Sequence, residues 1–303
     1  MNDVLSVLSQ NILPIFVAAG IGVALRRWTD IDKQALSRLA FYALGPCLVF
    51  SSLVESRLTG GEVARLTGFA LAAVAAMGGL SLLVSRLLSF SRQEQAALAL
   101  VVMFTNSGNF GLTLNQLRYG DAGLSRAVVY FTVSTVLVFT LGIFVASLGQ
   151  MDWRTALRRV LQMPAFYAVI LALIVYGFHI PLPSFVARGI EIAGEGSIPV
   201  MLIVLGMQLA DLRSVGDARL AVPAVALRLL VAPLVALGLA ALIGLRGTGY
   251  AVSILQASLP TAVITTILAT EFDVNPSGVT TVVLLTTLLS PITLTLAITL
   301  LRL

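Results

Sequence analysis

Long apolar stretches without charged residues alternate with short polar turns along most of the chain. These stretches are 20 to 28 residues long and cover 4–25, 66–85, 95–117, 127–151, 247–270 and 274–301. A transmembrane helix needs about 20 apolar residues, because the hydrocarbon core of a bilayer is about 30 Å thick. The pattern therefore predicts an all-α polytopic membrane protein, surrounded by a lipid bilayer. Turn residues and charges place ten transmembrane helices near 4–26, 33–54, 63–88, 94–117, 122–147, 162–179, 184–210, 217–244, 248–270 and 276–302.

The composition agrees with this pattern and excludes several classes of function. Only 11% of the residues are charged and 58% are hydrophobic, whereas a soluble domain carries about 25% charged residues. The 19 Lys and Arg residues are scattered at helix ends, so the net charge of +5 does not indicate a nucleic-acid partner. No phosphate-binding loop, metal-ligand spacing or nucleophile–base arrangement is present, so we predict no catalytic residues, no metal and no cofactor. Cys47 is a single cysteine, and it excludes a disulfide within the chain.

The distribution of basic residues predicts the orientation. With the first loop in the cytoplasm, eleven basic residues lie on that side and seven on the other, with Arg228 left inside the eighth helix. Cytoplasmic loops carry an excess of Lys and Arg in membrane proteins. We therefore expect a multi-pass protein of the cell inner membrane with both termini outside the cytoplasm. The N-terminus lacks the basic segment of a cleaved signal peptide, so the first helix is expected in the mature protein.

Five predicted helices on each side of a central connection suggest two related halves. An odd number of spans in each half gives the halves opposite orientations, which is the arrangement of an inverted repeat. We assign residues 1–148 to the first repeat, 149–161 to a short cytoplasmic linker and 162–303 to the second repeat.

Two landmarks of the first half recur in the second half at one spacing. Pro46 and Pro199 are 153 residues apart, and the same offset carries Ser107 to Pro260. Both prolines are expected to bend their helices near the membrane midplane. Paired interruptions at corresponding positions in two halves are the best pointer from sequence to a transporter's binding site.

The interruptions themselves, NSGN at 106–109 and SLPT at 258–261, are polar or helix-breaking segments inside apolar helices. Non-helical backbone at membrane depth is tolerated where it is buried in protein or lines a water-filled cavity. Half-helices restarting near Asn109 and Thr261 would direct N–H groups and positive dipole ends at that cavity, which favours a carboxylate. Alternatively, the polar groups satisfy one another or merely kink a helix. The predicted substrate-binding residues are Asn106, Ser107, Gly108, Asn109, Pro260 and Thr261, with Gly111 permitting the first break.

Ionisable residues inside predicted helices are candidates for ion coupling, because a charge in the membrane is costly and usually functional. Glu191 and Glu195 are four residues apart and share one helix face, so Glu195 could hold a coupling proton or sodium ion. In the alternative, Glu191 lies at the outer interface and pairs with Arg188. Arg228 either neutralises a glutamate or contacts substrate, unless its side chain extends to the interface.

Three motifs resemble the auxin efflux carrier family, which includes the plant PIN-FORMED carriers and many bacterial permeases. They are NSGNFGL at 106–112, LGMQLADL at 205–212 and the long segment from SLPTAVITT to SPITL at 258–294. The resemblance implies two inverted five-helix repeats with crossed broken helices 4 and 9 beside the substrate. It also implies a homodimeric secondary transporter of a small organic anion, an auxin-like carboxylate or a dicarboxylate, working by elevator-type alternating access.

The sequence departs from the family pattern at two places. Leu112-Thr113-Leu114 lacks the proline that often marks the fourth-helix break, so glycines must permit that break here. The connection between the fifth and sixth helices is about a dozen residues, whereas plant members often carry a long hydrophilic loop, and this difference argues against auxin as the substrate. One alternative function is a sodium- or proton-coupled symporter or antiporter of the bile-acid symporter-like class. An intramembrane enzyme or a substrate-sensing receptor is a more distant alternative.

Overall fold

The computed structural model describes residues 2–56, 58–148, 158, 161–211, 218–301 and 303, and the chain in these ranges is helical with no named strand. Most of the predicted linker, including Arg154 and Arg159, lies outside the described residues. The helices are α1 (Val4–Trp28), α2 (Lys33–Val54), α3 (Gly60–Leu87), α4 (Arg92–Met103), α5 (Ser107–Ala146), α6 (Pro164–Gly177), α7 (Ser184–Asp211), α8 (Ala218–Ile243), α9 (Gly247–Ser258), α10 (Ile264–Glu271) and α11 (Pro276–Leu300).

Seven helices in the described part of the chain are long and apolar enough to cross a membrane: α1, α2, α3, α5, α7, α8 and α11. The protein is therefore a polytopic membrane protein, as the apolar pattern predicts. The shorter α4 stops before the first break, and α9 and α10 lie on either side of the second.

The predicted turn between the fourth and fifth spans is a sharp kink inside α5. Gly120 has a positive φ of 61°, a conformation that glycine adopts at little cost. A Cβ at Gly123 would lie 2.5 Å from the carbonyl oxygen of Asn115, although eight residues of straight helix would separate the two by about 12 Å. The chain therefore reverses direction at Gly120.

Side-chain caps fix where several helices begin. The side chain of Thr59 accepts a hydrogen bond from the Glu62 N–H at the start of α3. Ser91 and Glu94 form a reciprocal capping box at the start of α4, an arrangement that satisfies two otherwise unpaired N–H groups.

The helices pack in two groups that meet near the breaks. In the first group α1 lies along α7, and α2 contacts both α6 and α7. In the second group α3 packs on α4 and α5, while α9 contacts α3, α5 and α8. Small residues allow the closest approach in the first group, because a Cβ at Gly22 or Gly206 would overlap backbone atoms of the facing helix.

Candidate functional site

The two predicted breaks meet in the interior of the protein. Thr105 and Thr261 form an isolated antiparallel β-bridge. The N–H of Asn106 donates to the carbonyl oxygen of Pro260 at 2.8 Å, and the N–H of Ala262 donates to that of Phe104 at 2.9 Å. Each break thus satisfies backbone groups that the other leaves unpaired, as buried backbone requires.

The details of the two breaks differ from the sequence prediction. The helix after the first break restarts at Ser107 as a π-helical turn, two residues earlier than predicted. The helix after the second break restarts at Ile264, three residues later than predicted. Leu259 is extended with ψ of 157°, the conformation that a following proline favours.

The side chain of Asn106 is the strongest ligand candidate at this crossing. It is 6% exposed, and its Nδ2 has no hydrogen-bond partner. A buried amide without a partner is costly and calls for an explanation. Asn106 also directly precedes the π-helical turn Ser107–Leu112. The N–H of Ser107 donates to the carbonyl oxygen of Thr105 at 2.7 Å, and the N–H groups that follow it in the first turn lack intrahelical partners. A bound anion would accept hydrogen bonds from both sources.

The other predicted ligands lie at the same crossing but differ in what they can offer. Ser107 is buried, and Asn109 is partly exposed. The hydroxyl of Thr261 donates to the carbonyl oxygen of Val101 at 2.8 Å, and its N–H donates to Thr286 Oγ1 at 3.2 Å. Both donors of Thr261 are therefore used within the protein.

Two glycines of the first break allow close packing at the crossing. A Cβ at Gly108 would lie 2.8 Å from the ring of Phe131, and one at Gly111 would overlap the side chains of Gln256 and Leu259. Gln256 is fully buried, with Nε2 at 3.5 Å from the Ser107 carbonyl oxygen and Oε1 without a partner. Sequence reasoning missed Gln256, and its signal was a lone glutamine two residues before the second break.

A cavity of about 560 Å³ lies between the two helix groups, and we call it the acidic cavity. Its walls come from α2, α5 and α7. Arg126 also lines it, but its guanidinium pairs with Glu62 at 2.7 Å. The residues at the cavity are Leu48, Ser51, Ser52, Glu55, Ser56, Gln116, Asp121, Ala122, Leu124, Ser125, Arg126, Glu191, Glu195 and Ile198. Four carboxylates therefore give this space a net negative charge.

The predicted coupling residues fall into two places. Glu191 pairs with Arg188 at 2.7 Å. The ion pair predicted in the alternative that places Glu191 at the outer interface is therefore present. Glu195 is exposed and lines the acidic cavity without an ion pair among the described residues. Arg228 instead lies beside the crossing, 1% exposed, with Nη1 at 2.6 Å from the carbonyl oxygen of Val102.

The two predicted helix-bending prolines lie at irregular points of α2 and α7. Pro46 follows the π-helical turn Ala40–Leu44. Pro199 follows the interruption of α7 at Gly196.

Protonation of Glu55 should stabilise the protein. Partial burial at the acidic cavity raises the pKa of Glu55 above its ordinary value of 4.5, and Glu191, Asp121 and Glu195 raise it further. The folded state then binds more protons than the unfolded state, so stability falls as the pH rises from 4.5 through the raised pKa. We expect Glu55→Gln to increase the melting temperature at pH 7 by about 2 °C, since a largely exposed charge contributes little.

Thermal melts in detergent across pH 4 to 8 would measure this difference, which should vanish at the acid end. The control is Asp30→Asn, which removes an exposed carboxylate in the connection between α1 and α2. An equal gain in both variants, or a Glu55→Gln gain independent of pH, would contradict the assignment to cavity electrostatics.

Comparisons with known proteins identify the family. The profile of the family described as "Membrane transport protein" matches residues 7–156 and 147–298. An uncharacterized transporter of Methanothermobacter thermautotrophicus is 27% identical over 295 residues, which cover 94% of this chain and 96% of that protein. The probable auxin efflux carrier component 1d of Oryza sativa subsp. japonica is 32% identical over 183 residues, covering 59% of this chain and 31% of the rice protein.

The auxin efflux carrier component 1 of Arabidopsis thaliana is 30% identical over 148 residues, which cover 48% of this chain and 24% of the plant protein. The matches to these two plant relatives thus span less than a third of their length. The resemblance first seen in the three motifs is confirmed. Because the family profile matches nearly the whole chain, the protein belongs to the membrane transport protein family that includes the auxin efflux carriers, and it is a multi-pass membrane transporter.

Proposed function

We propose that this protein is a secondary transporter that binds a small organic anion where its two broken helices cross. The observation that supports this most directly is the unpartnered, buried amide of Asn106 beside the β-bridge of Thr105 and Thr261. An amide donor and a helix N-terminus together hold a carboxylate without a buried cation at the same point. Asn109, two residues into the restarted helix, is the second candidate ligand.

The fold we propose has ten transmembrane helices arranged as two inverted five-helix repeats. The paired breaks support it, since one interruption lies in each half of the chain. In this arrangement both termini lie outside the cytoplasm, and the protein resides in the cell inner membrane. We further propose a homodimer, as the family resemblance implies.

Elevator-type movement is the transport mechanism we propose. The two helix groups contact each other less extensively than the helices within each group, and the acidic cavity separates them. Leu48 and Ile198 line the cavity from the first group, and Gln116 and Ser125 line it from the second. Sliding of the second group, which carries both breaks, would move a bound anion to the opposite side.

The family resemblance and the charge of the acidic cavity support the substrate class that we propose. Curated relatives are described as auxin efflux carriers, and auxin-like compounds and dicarboxylates are the anions that the family resemblance implies. Four cavity carboxylates repel a dianion more strongly than a monoanion. We therefore expect a monocarboxylate, or a dicarboxylate that carries one proton, to be preferred at neutral pH.

A thermal-shift screen of the purified protein against mono- and dicarboxylates tests this proposal. We expect at least one carboxylate to raise the melting temperature, because a ligand that binds only the folded state stabilises it. The same compound should drive counterflow in proteoliposomes. Binding without counterflow would favour a receptor, and the absence of both would contradict the proposed anion carrier.

Proton coupling is the second candidate, and Glu195 in the acidic cavity favours it. A carboxylate exposed to a cavity between two moving groups could take up a proton on one side and release it on the other. Uptake would then accelerate under an imposed pH gradient and slow in Glu195→Gln. Uptake unaffected by both pH and sodium gradients would remove the coupled alternatives.

A further inference from the structure

Arg228 is the most deeply buried charged residue among those the structure describes. Its side chain lies in α8 at a π-helical turn, Leu227–Val231, and is 1% exposed. No carboxylate of the described residues lies within ion-pair distance of it. A buried charge without a counterion is expensive, so its hydrogen-bond partners must explain its presence.

Those partners are two backbone carbonyls, one from each broken helix. Nη1 donates to the carbonyl oxygen of Val102, and Nη2 donates to that of Ala257. Val102 is the last residue but one of α4, and Ala257 is the last but one of α9. Both carbonyls thus belong to last helical turns, whose carbonyls lack intrahelical partners.

The charges at this point balance. The C-terminus of a helix carries about −0.5 elementary charge, so two such ends that meet inside the protein present about −1. One guanidinium supplies +1 and reaches both ends at once. In carriers with broken helices, half-helix C-terminal carbonyls are where coupling cations are coordinated.

The geometry leaves no room for Arg228 to hold a substrate. Both terminal nitrogens are engaged, and Nε is left without a partner. The adjoining cavity, which Tyr130 and Met103 also line, has a volume of about 10 Å³. That space accommodates at most one water molecule, which is too small for a carboxylate.

We propose that Arg228 is a fixed cation that joins the C-terminal ends of α4 and α9 and occupies the place of a coupling cation at the crossing. It is a positioning residue, because it acts through the half-helices that present Asn106 and not through the anion. This role deepens the proposed transport function. Its consequence for transport is that the crossing needs no sodium ion, and that consequence rests on the proposed function. Its electrostatic part is testable without any substrate.

Chemical rescue separates charge from packing. Arg228→Ala should melt about 5 °C lower than the unsubstituted protein, since hydrogen bonds to a charged group are lost at two helix ends. Millimolar guanidinium should restore most of that loss, whereas urea, which has a similar shape and no charge, should not. Neither compound should stabilise the unsubstituted protein. Equal rescue by urea and guanidinium, or rescue by neither, would overturn the fixed-cation role.

A second pair of variants covers the case in which Arg228→Ala does not fold. Arg228→Lys keeps the charge, and Arg228→Met is an unbranched side chain, close in length to lysine, without the charge. We expect monodisperse Arg228→Lys to be recovered at several times the yield of Arg228→Met. Equal recovery of the two, at whatever level, would overturn the proposal.

A sodium titration completes the test. The melting temperature of the unsubstituted protein should be the same in sodium and choline chloride, while Arg228→Ala should be stabilised by sodium. If sodium stabilised the unsubstituted protein, Arg228 would not fill the cation position at the crossing, and the proposal would be wrong. These measurements contain no organic anion, so they can fail while the carboxylate screen succeeds, and the reverse also holds.

Discussion

Replacing Asn106 with alanine is expected to weaken anion binding by about tenfold or more while leaving the protein at least as stable as before. The two effects have one cause. The Nδ2 group of Asn106 is buried without a partner, and an unsatisfied buried donor costs about 1–3 kcal/mol. Alanine removes that cost from the empty protein, so the melting temperature should stay constant or rise by about 2–4 °C. The bound anion, however, loses a donor.

Isothermal titration with the carboxylate found by the screen would measure the affinity, and a melt without ligand would measure stability. The matched control is Asn115→Ala, because the amide of Asn115 donates to the carbonyl oxygen of Gly111 at 2.8 Å. We expect that variant to lose stability, with a smaller effect on affinity. An Asn106→Ala protein that is destabilised but binds with unchanged affinity would show that Asn106 is structural.

The positions of the breaks were accessible from the sequence because their chemistry is local. Glycine and proline disfavour helix wherever they occur, so NSGN and SLPT stood out against apolar surroundings. The equal spacing in the two halves made them a corresponding pair, and the family resemblance implied that they cross. The β-bridge of Thr105 with Thr261 joins the two segments. The points at which the two half-helices restart were wrong by two and three residues, since π-helical turns and extended residues shift the chain without a clear sequence signal.

The hydrogen-bond partners of buried polar groups could not be predicted from the sequence in the same way. The Thr261 hydroxyl was predicted to face the substrate, but it donates to the carbonyl oxygen of Val101, 160 residues away in the chain. Arg228 was expected to meet a glutamate, the substrate or the interface, and the carbonyls of Val102 and Ala257 hold it instead. Such contacts depend on how helices from different parts of the chain pack, and no local pattern encodes them.

The acidic cavity combines residues that the sequence already places side by side with residues that only the fold brings together. Glu191 and Glu195 were recognised as neighbours because they lie on one helix, four residues apart. Glu55, directly after the end of α2, and Asp121 of α5 join them only after folding. The mutual repulsion that raises the pKa of Glu55 is therefore a property of the tertiary structure.

Replacing Gly22 with alanine is expected to cause the largest loss of stability, about 5–10 °C in melting temperature. A Cβ at Gly22 would overlap the backbone carbonyl of Ile203 in α7. Backbone atoms cannot rotate away, so α1 and α7 would have to separate, and overpacking of this kind costs about 1–3 kcal/mol or more. The helix group on one side of the acidic cavity would lose one of its closest backbone contacts, and anion transport should fall with it.

Gly20→Ala is the matched control, because it adds the same methyl group to the same helix two residues earlier. A Cβ at Gly20 meets no atom within 4 Å, so alanine there should be neutral or should stabilise α1 by up to about 1 kcal/mol through helix propensity. Thermal melts of the two variants, with the monomer–dimer ratio measured by light scattering, isolate the contact from propensity. Equal melting temperatures would mean that α1 and α7 are not held in backbone contact at Gly22. A difference of the expected size would show that one methyl group at this contact decides how closely α1 and α7 can pack.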